Sequence, residues 1–231
     1  MAAAALLVLP CGMAKPWDAR RFASTTFFFN SPDQVLRRTF GSPFAQPTKL
    51  SNGDILWSAK APLLEWGPLD DVVMGGVSQS SFEVAGDIGK FSGMVSTDNN
   101  GGFAGVRSKA LTPPLKLKKF SGLKLRIRGD DRLRRYKFIV RDSYAWNGIA
   151  WSQSFDATPA DAAGGWQEVE LPFDGFTPTL FAKRVPGVSL NTDEINTLQI
   201  TYSKFEYDSE LSPNFAEGAF ALSVESVSVM I

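Results

Sequence analysis

Leu123-Lys124-Leu125-Arg126-Ile127-Arg128 alternates apolar and basic residues without a break. A period of two puts one face of an extended segment against a core and the other in solvent. Gly129-Asp130-Asp131 then turns the chain, and Tyr136, Phe138 and Val140 share one face of the next segment. The same signals predict strands at Ser78–Val84 and Lys90–Val95 around a Gly86-Asp87 turn, and an Arg-containing strand after Gly102. Further strands are expected at Ile149–Phe155, Gln167–Leu171, Ile195–Tyr202 and Phe220–Ile231. In the last, Phe220, Leu222 and Val224 hand over to Val227, Val229 and Ile231. A one-residue slip near Glu225 or Ser226, as a β-bulge supplies, reconciles the two halves; burial on both faces is the alternative. Short strands, turn residues every few positions and almost no helix predict an all-β fold, a β-sandwich or jelly roll.

The first part of the chain reads differently. Ala2 to Pro10 is an apolar run too short to span a bilayer, and no basic residue precedes it as a secretory signal requires. From Met1 to Phe40 five basic residues stand against Asp18 and Asp33, compatible with an organelle transit peptide or with an unstructured leader. Ser31-Pro32-Asp33-Gln34 is a helix start that predicts a short helix over about 32–40, stopped by Gly41. Residues 1–53 are therefore expected to be an N-terminal extension with a short helix and a linker. Residues 54–231 are expected to form the β domain.

Residue types narrow the chemistry. The sequence of 231 residues contains no histidine, which removes Ser-His and Cys-His nucleophile pairs and the usual neutral-pH base. Its single cysteine, Cys11, excludes an intrachain disulfide and CxxC-type zinc sites. Any enzyme here would run on carboxylates, Lys, Tyr or Ser. The formal net charge is zero but segregated: Arg107 to Arg141 carries thirteen basic residues against Asp130 and Asp131, and Asp142 to Ile231 carries thirteen acids against Lys183, Arg184 and Lys204. Either a basic partner-binding surface or mutual neutralisation of strands in the fold accounts for it.

Two blocks carry the strongest motifs, Trp66–Phe82 (WGPLDDVVMGGVSQSSF) and Ser96–Ser108 (STDNNGGFAGVRS). Adjacent Asp70 and Asp71 in a strand point to opposite faces, so unless the backbone turns there they cannot both serve one reacting centre as a glycosidase-like pair. One of them either serves with Glu206 or Asp208, or pairs with Arg107 or caps amides around Gly75-Gly76. Gly75 and Gly76 lack the Lys-Ser/Thr and helix of a phosphate loop, and are expected to allow positive φ or close backbone approach. Asn99-Asn100-Gly101-Gly102 reads as a turn. Asp98, Asn99 and Asn100 offer oxygen ligands for a structural cation without the spacing of an EF-hand. Ser203-Lys204-Phe205-Glu206-Tyr207-Asp208 mixes charge and aromatic area, as a binding rim or as a strand-end loop. Trp146 and Trp151 would stack on a sugar ring or fill the core.

These blocks, with LKLRIRGD (Leu123–Asp130), WQEVELPFDGFTP (Trp166–Pro178), LQITYSKFEYD (Leu198–Asp208) and FALSVESV (Phe220–Val227), resemble the complex I intermediate-associated protein 30 family from about Ile55 to Ile231. The resemblance implies a galactose-binding-like jelly-roll β-sandwich and a non-catalytic assembly factor without a cofactor. The DDVVMGG, NNGGF and SKFEYD wording is most similar to a cyanobacterial and plastid branch, in which the domain also ends a larger factor for photosystem II biogenesis that carries a dehydrogenase-like domain. With no GxGxxG here, no nucleotide is expected. The implied partners are subunits or assembly intermediates of a photosynthetic or respiratory complex. A plastid location, stroma or thylakoid-associated, is expected, with the mitochondrion as the alternative, and with peripheral association with an organelle membrane. The matched positions Trp66, Asp70, Asp71, Met74, Gly75, Gly76, Ser78, Asn99, Asn100, Gly101, Gly102, Phe103 and Arg107, with Lys204, Glu206 and Asp208, are candidates for a motif surface. No catalytic or metal role attaches to them. Carbohydrate binding through the sandwich and its tryptophans, and RNA binding through outward Lys124, Arg126, Arg128 and Lys137, stand as alternatives.

Overall fold

Alternating burial along the strands produces two antiparallel sheets packed face to face in the computed structural model, which describes residues 18–30, 50–60, 64–160 and 165–231. In chain order the elements are helix α1 (Ala19–Asn30), then β1 (Ile55–Ser58), β2 (Trp66–Pro68), β3 (Gln79–Ala85), β4 (Ile88–Val95), β5 (Phe103–Ser108), β6 (Gly122–Arg128), β7 (Arg134–Arg141), β8 (Ala150–Ala157), β9 (Gln167–Pro172), β10 (Thr177–Leu180), β11 (Lys183–Arg184), β12 (Thr197–Ser203) and β13 (Gly218–Met230). The first sheet runs β3-β4-β13-β6-β9 with β1 also paired to β13; the second runs β11-β10-β8-β7-β12-β5-β2.

The alternation read from β6 is observed: Leu123, Leu125 and Ile127 are fully buried, while Lys124, Arg126 and Arg128 point outward. Facing them across the sandwich are Tyr136, Phe138 and Val140 of β7 and Leu198, Ile200 and Tyr202 of β12, each at most 1% exposed. The expected slip in β13 is a bulge at Glu225: Val224 pairs with Ile127, but Ser226 pairs with Arg126. The extra residue lets Leu222 and Val224 before it, and Val227 and Val229 after it, all face the core.

The segregated charges meet across strands. On the outer face of the first sheet Lys124 approaches Glu168 and Glu170 at 3.3 Å each, and Arg126 pairs with Glu225. Mutual neutralisation, one of the two expected readings, accounts for this face.

The helix expected at 32–40 lies outside the described residues. A different segment, read above as leader, is helical. Asp18 accepts the amides of Arg20 and Arg21 and so caps α1. Arg21, Thr25, Phe28 and Phe29 share one face, and that face lies on the second sheet beside β2. The Phe28 ring fits there because residue 67 is glycine: a Cβ at Gly67 would sit 2.3 Å from it. Among the described residues no helix is long and apolar enough to cross a membrane.

Candidate functional site

Asp70 and Asp71 leave β2 and enter a 3-10 turn over Asp71–Met74, so neither lies on a strand. Asp71 is fully buried and joins the two motif blocks. Its Oδ1 accepts the Ser78 amide at 2.9 Å, and its Oδ2 accepts the Ser78 hydroxyl at 2.6 Å and the amides of Gly102 at 2.7 Å and Phe103 at 3.3 Å. At two positions, Gly76 and Gly101, the chain passes so close to this carboxylate that only glycine fits. A Cβ at Gly76 would lie 2.3 Å from Asp71 Cγ, and one at Gly101 would lie 2.4 Å from Oδ2. Gly75 (φ 95°) and Gly102 (φ 135°) adopt positive φ, as do Asn99 (56°) and Asn100 (60°), which confirms the expected left-handed turns. The Asn99 side chain donates to the Gly75 carbonyl at 3.2 Å, closing one block on the other.

Asp70 points elsewhere. It accepts the Ser80 amide and hydroxyl, the Gly105 amide at 3.2 Å, and Arg21 of α1 at 2.8 Å. Burial pushes its carboxyl above the ordinary carboxylate range, opposed by the Ser80 and Gly105 bonds and the Arg21 charge. The expected Arg107 partnership of an aspartate is not what forms: Arg21, in the N-terminal segment, takes that place. Asp71 caps amides at Ser78, Gly102 and Phe103, beyond the Gly75-Gly76 turn itself.

Of the other motif residues, Trp66 is half-buried, its ring stacked on Phe82 at 5.2 Å and edge-on to Trp57. Met74 is exposed. Lys204 packs its side chain over Gly102 and donates its amide to the Gly102 carbonyl. Glu206 is buried, accepting the hydroxyls of Ser212 at 3.0 Å and of Ser154. Asp208 lies on the exposed rim, held by Arg184 at 2.6 Å, whose bonds draw its carboxyl below the usual value. Neither acid faces the Asp70-Asp71 pair, so these residues form no carboxylate couple.

The outer face of the second sheet is a polar trough. Arg107, Gln199, Thr201, Ile139, Lys137 and Ser152 point away from the core yet are each 8% exposed or less. Loops at both ends fold over them. At one end Lys137 donates to the carbonyls of Phe205 and Glu206, and burial pushes its amine down to about 8, against the pull of Glu206. At the other end Trp146 and Phe29 of α1 lie against Arg107, with ring centroids 4.9 and 5.6 Å from the guanidinium carbon. Arg107 Nε donates to Gln199 at 3.0 Å, and Gln199 in turn donates to Thr201. Arg141, beside it, donates to the carbonyl of Gly148 at 2.6 Å. A small cavity of about 30 Å³ opens between these groups, lined also by Tyr144, Asn196 and Thr197.

Two expectations, an RNA surface and a single motif surface, do not hold here. Lys137 is buried and no basic outer strand face stands free, so the RNA surface read from alternation is not assembled: Lys124 and Arg126 are paired with acids, and Arg128 lies over Trp166. Of the two tryptophans expected either to stack on a sugar or to fill the core, Trp151 fills the core, 4% exposed, with its indole donating to Asp142, and Trp146 is at the surface. The motif residues do not form one exposed surface, because most are consumed in the Asp71 hub. Sequence reading passed over Arg141, Asn196 and Thr197. For Arg141 the signal available was register: the basic residues at 135, 137 and 141 lie two or four apart on a strand whose other face is apolar, so they share the outer face.

A family model described as Complex I intermediate-associated protein 30 matches residues 55–224. No curated protein matches the chain. Among solved structures the chain is similar to a family 11 carbohydrate-binding module from Clostridium thermocellum in complex with a beta-1,3-1,4-mixed-linked tetrasaccharide. The identity is 17%, the TM-score 0.56, and the match covers 78% of this chain and 97% of that one. The family 11 module of the cellulosomal cellulase Lic26A-Cel5E of Clostridium thermocellum is similar at 18% identity and TM-score 0.56, covering 79% and 96%. An agarase, AgWH50C, matches at 7% identity and TM-score 0.52, over 78% of this chain and 25% of that one. These likenesses establish the jelly-roll sandwich.

Proposed function

Since the chain belongs to the complex I intermediate-associated protein 30 family, we propose that it is a non-catalytic assembly factor for a membrane electron-transport complex, working by protein–protein contact. The family match carries this reading. Its physical support is the use made of the motif: the two carboxylates that most invite a catalytic role are buried and occupied by backbone amides, serine hydroxyls and Arg21. Groups so engaged hold loops in place; they are not poised to exchange protons with a substrate. The client is a photosystem II or NADH dehydrogenase-type complex, and the compartment is the plastid, on the strength of the DDVVMGG, NNGGF and SKFEYD wording. A tagged copy purified from its native cells is expected to bring down thylakoid or respiratory subunits, and recovery of neither would sink the proposal. A fluorescent fusion of the whole chain separates plastid from mitochondrion.

A second reading, glycan binding, has one specific observation behind it. The sandwich is shared with carbohydrate-binding modules, and here a trough of polar side chains crosses one sheet with the exposed ring of Trp146 at its end. Glycan-array binding that disappears in Trp146→Ala would support it, and a blank array across plant and algal glycans would end it.

A further inference from the structure

Arg107 and Arg141 are neighbours on the outer face of the second sheet, set diagonally across β12, and neither forms an ion pair among the described residues. Bringing two guanidiniums out of water side by side is costly, and buried charges are ordinarily paired. Burial lowers Arg107 to about 9, with the Arg141 charge adding to the effect, and burial alone lowers Arg141 to about 10. Both remain cationic at neutral pH. No carboxylate contributes to either, and the nearby Asp142 is spent on the Trp151 indole and the Asn191 amide.

The polar atoms around them are unfinished as well. Arg107 gives its Nε to Gln199, while its terminal nitrogens make no hydrogen bond among the described residues. Among the described residues Arg141 Nε and the Thr197 hydroxyl are buried without a partner and can donate; Asn196 Oδ1 is also unpartnered, but as an acceptor it is not satisfied by an anion. Such orphans are rare in folded proteins and ask for an explanation. All four residues line the same cavity of about 30 Å³. Trp146 and Phe29 stack against the Arg107 guanidinium, which leaves the edge of that group for a ligand.

We propose that this cavity is a binding site for a carboxylate, with Arg107 and Arg141 as its cationic wall and Thr197 as a hydroxyl donor. The size selects the ligand. A water needs on the order of 10–15 Å³ of such volume, so the cavity admits about two oxygens, the complement of one planar carboxylate. A guanidinium edge matches that geometry with two parallel N–H···O bonds. A tetrahedral phosphate, with four oxygens, fills the same space less completely and leaves the rest of its oxygens in the mouth. The carboxylate belongs either to a uronic sugar or to an acidic side chain of a protein. The site stands on this geometry alone and is independent of the assembly-factor reading.

The whole chain, labelled with 15N, is to be titrated with glucuronate, with N-acetylaspartate amide, and with inorganic phosphate and glucose at matched ionic strength. The arginine Nε–H signals and the thermal midpoint are followed. Saturable movement of two Nε–H signals with a carboxylate, absent with glucose and weaker with phosphate, is the expected result. The preferred carboxylate identifies the source. Arg107→Gln and Arg141→Gln should each weaken binding by roughly thirtyfold or more. Neither variant should melt below the wild type by more than a few degrees without ligand, because each relieves a like-charge contact. Unchanged Nε–H signals at saturating carboxylate, or equal response to phosphate, would overturn the proposal. If either variant fails to fold, Arg107→Lys, which keeps the charge and loses the fork, is expected to bind more weakly than wild type, and wild-type affinity in it would count against the site.

Discussion

The Gly102 amide donates to Asp71 Oδ2 at 2.7 Å across thirty-one positions of sequence. With the Ser78 bonds it makes one buried carboxylate the joint between the two motif loops. Asp71→Asn keeps shape and removes charge, but turns an amide N–H₂ toward donors at either Ser78 or Gly102. Losing charged acceptors in a buried site costs about 3 kcal/mol. For a domain of this size that is a fall of roughly 6–12 °C in thermal midpoint. Urea denaturation with unchanged slope would show that the native loops, and not the unfolded chain, carry the loss.

Gly76 and Asp71 should be energetically coupled. Alanine at 76 places a methyl 2.3 Å from Asp71 Cγ, so the loop must move off the carboxylate. Gly76→Ala alone is expected to cost about 2 kcal/mol or more. In Asp71→Ala the two shortest contacts, with Cγ and Oδ1, are gone and only the approach to Cβ at 2.8 Å is left, so the second substitution should then cost at least 1 kcal/mol less. A double-mutant cycle measures it; strict additivity would mean that the close approach is relieved elsewhere.

Fold was more legible than site, and the reason lies in what periodicity encodes. Leu123 to Arg128 announces its core face because burial repeats with the strand, and the Glu225 bulge shows as a phase slip in that same repeat. The left-handed Asn99 and Asn100 were legible as turn chemistry. Partnerships over long separations were not. Nothing in the sequence near Asp70 names Arg21, forty-nine positions earlier, and Arg107 was the nearer basic candidate. Trp146 and Trp151 look alike in sequence, yet one lies on a loop over the trough and the other in a strand facing the core. Arg107 and Arg141 meet only because β12 lies between β5 and β7, a fact of topology rather than of local pattern.

Helix α1 should depend on Arg21. Its guanidinium donates to Asp70 Oδ2 at 2.8 Å and to the Ser78 carbonyl at 2.7 Å, and Asp70 is 1% exposed. Arg21→Ala leaves that carboxylate buried with only its neutral donors. The expected result is faster hydrogen exchange across Ala19–Asn30 and a stability loss of about 1–3 kcal/mol. Asp70→Asn should release the helix too, yet cost less overall, since burial already disfavours the Asp70 charge. Equal protection of α1 in both variants and wild type would show that Phe28 and Phe29 hold the helix unaided.

Lys137 gives a pH dependence whose sign is fixed by its burial. Lys137, 7% exposed, lies on the outer face of β7 with its amine under the loop carrying Phe205, Glu206 and Tyr207. The groups facing it are the two loop carbonyls, the Glu206 carboxylate and the Tyr207 ring, whose centroid is 5.1 Å away. Burial lowers the folded value to about 8 from the ordinary 10.5, against the pull of Glu206. Between those values the unfolded chain holds a proton that the folded chain has released, so stability from this group rises with pH across that window. Below pH 8 both states are protonated and the burial penalty is fully present. Across the window the gain is up to about 3 kcal/mol. Other lysines and tyrosines titrate there as well, so the measurement is a difference. Urea denaturation of wild type and Lys137→Met at pH 7.5 and at pH 10.5, values chosen from roughly either side of the window, should show the wild type gaining on the variant at the higher pH. Parallel pH profiles would mean that the amine keeps its proton in the fold, held by the Phe205 and Glu206 carbonyls more tightly than burial opposes it.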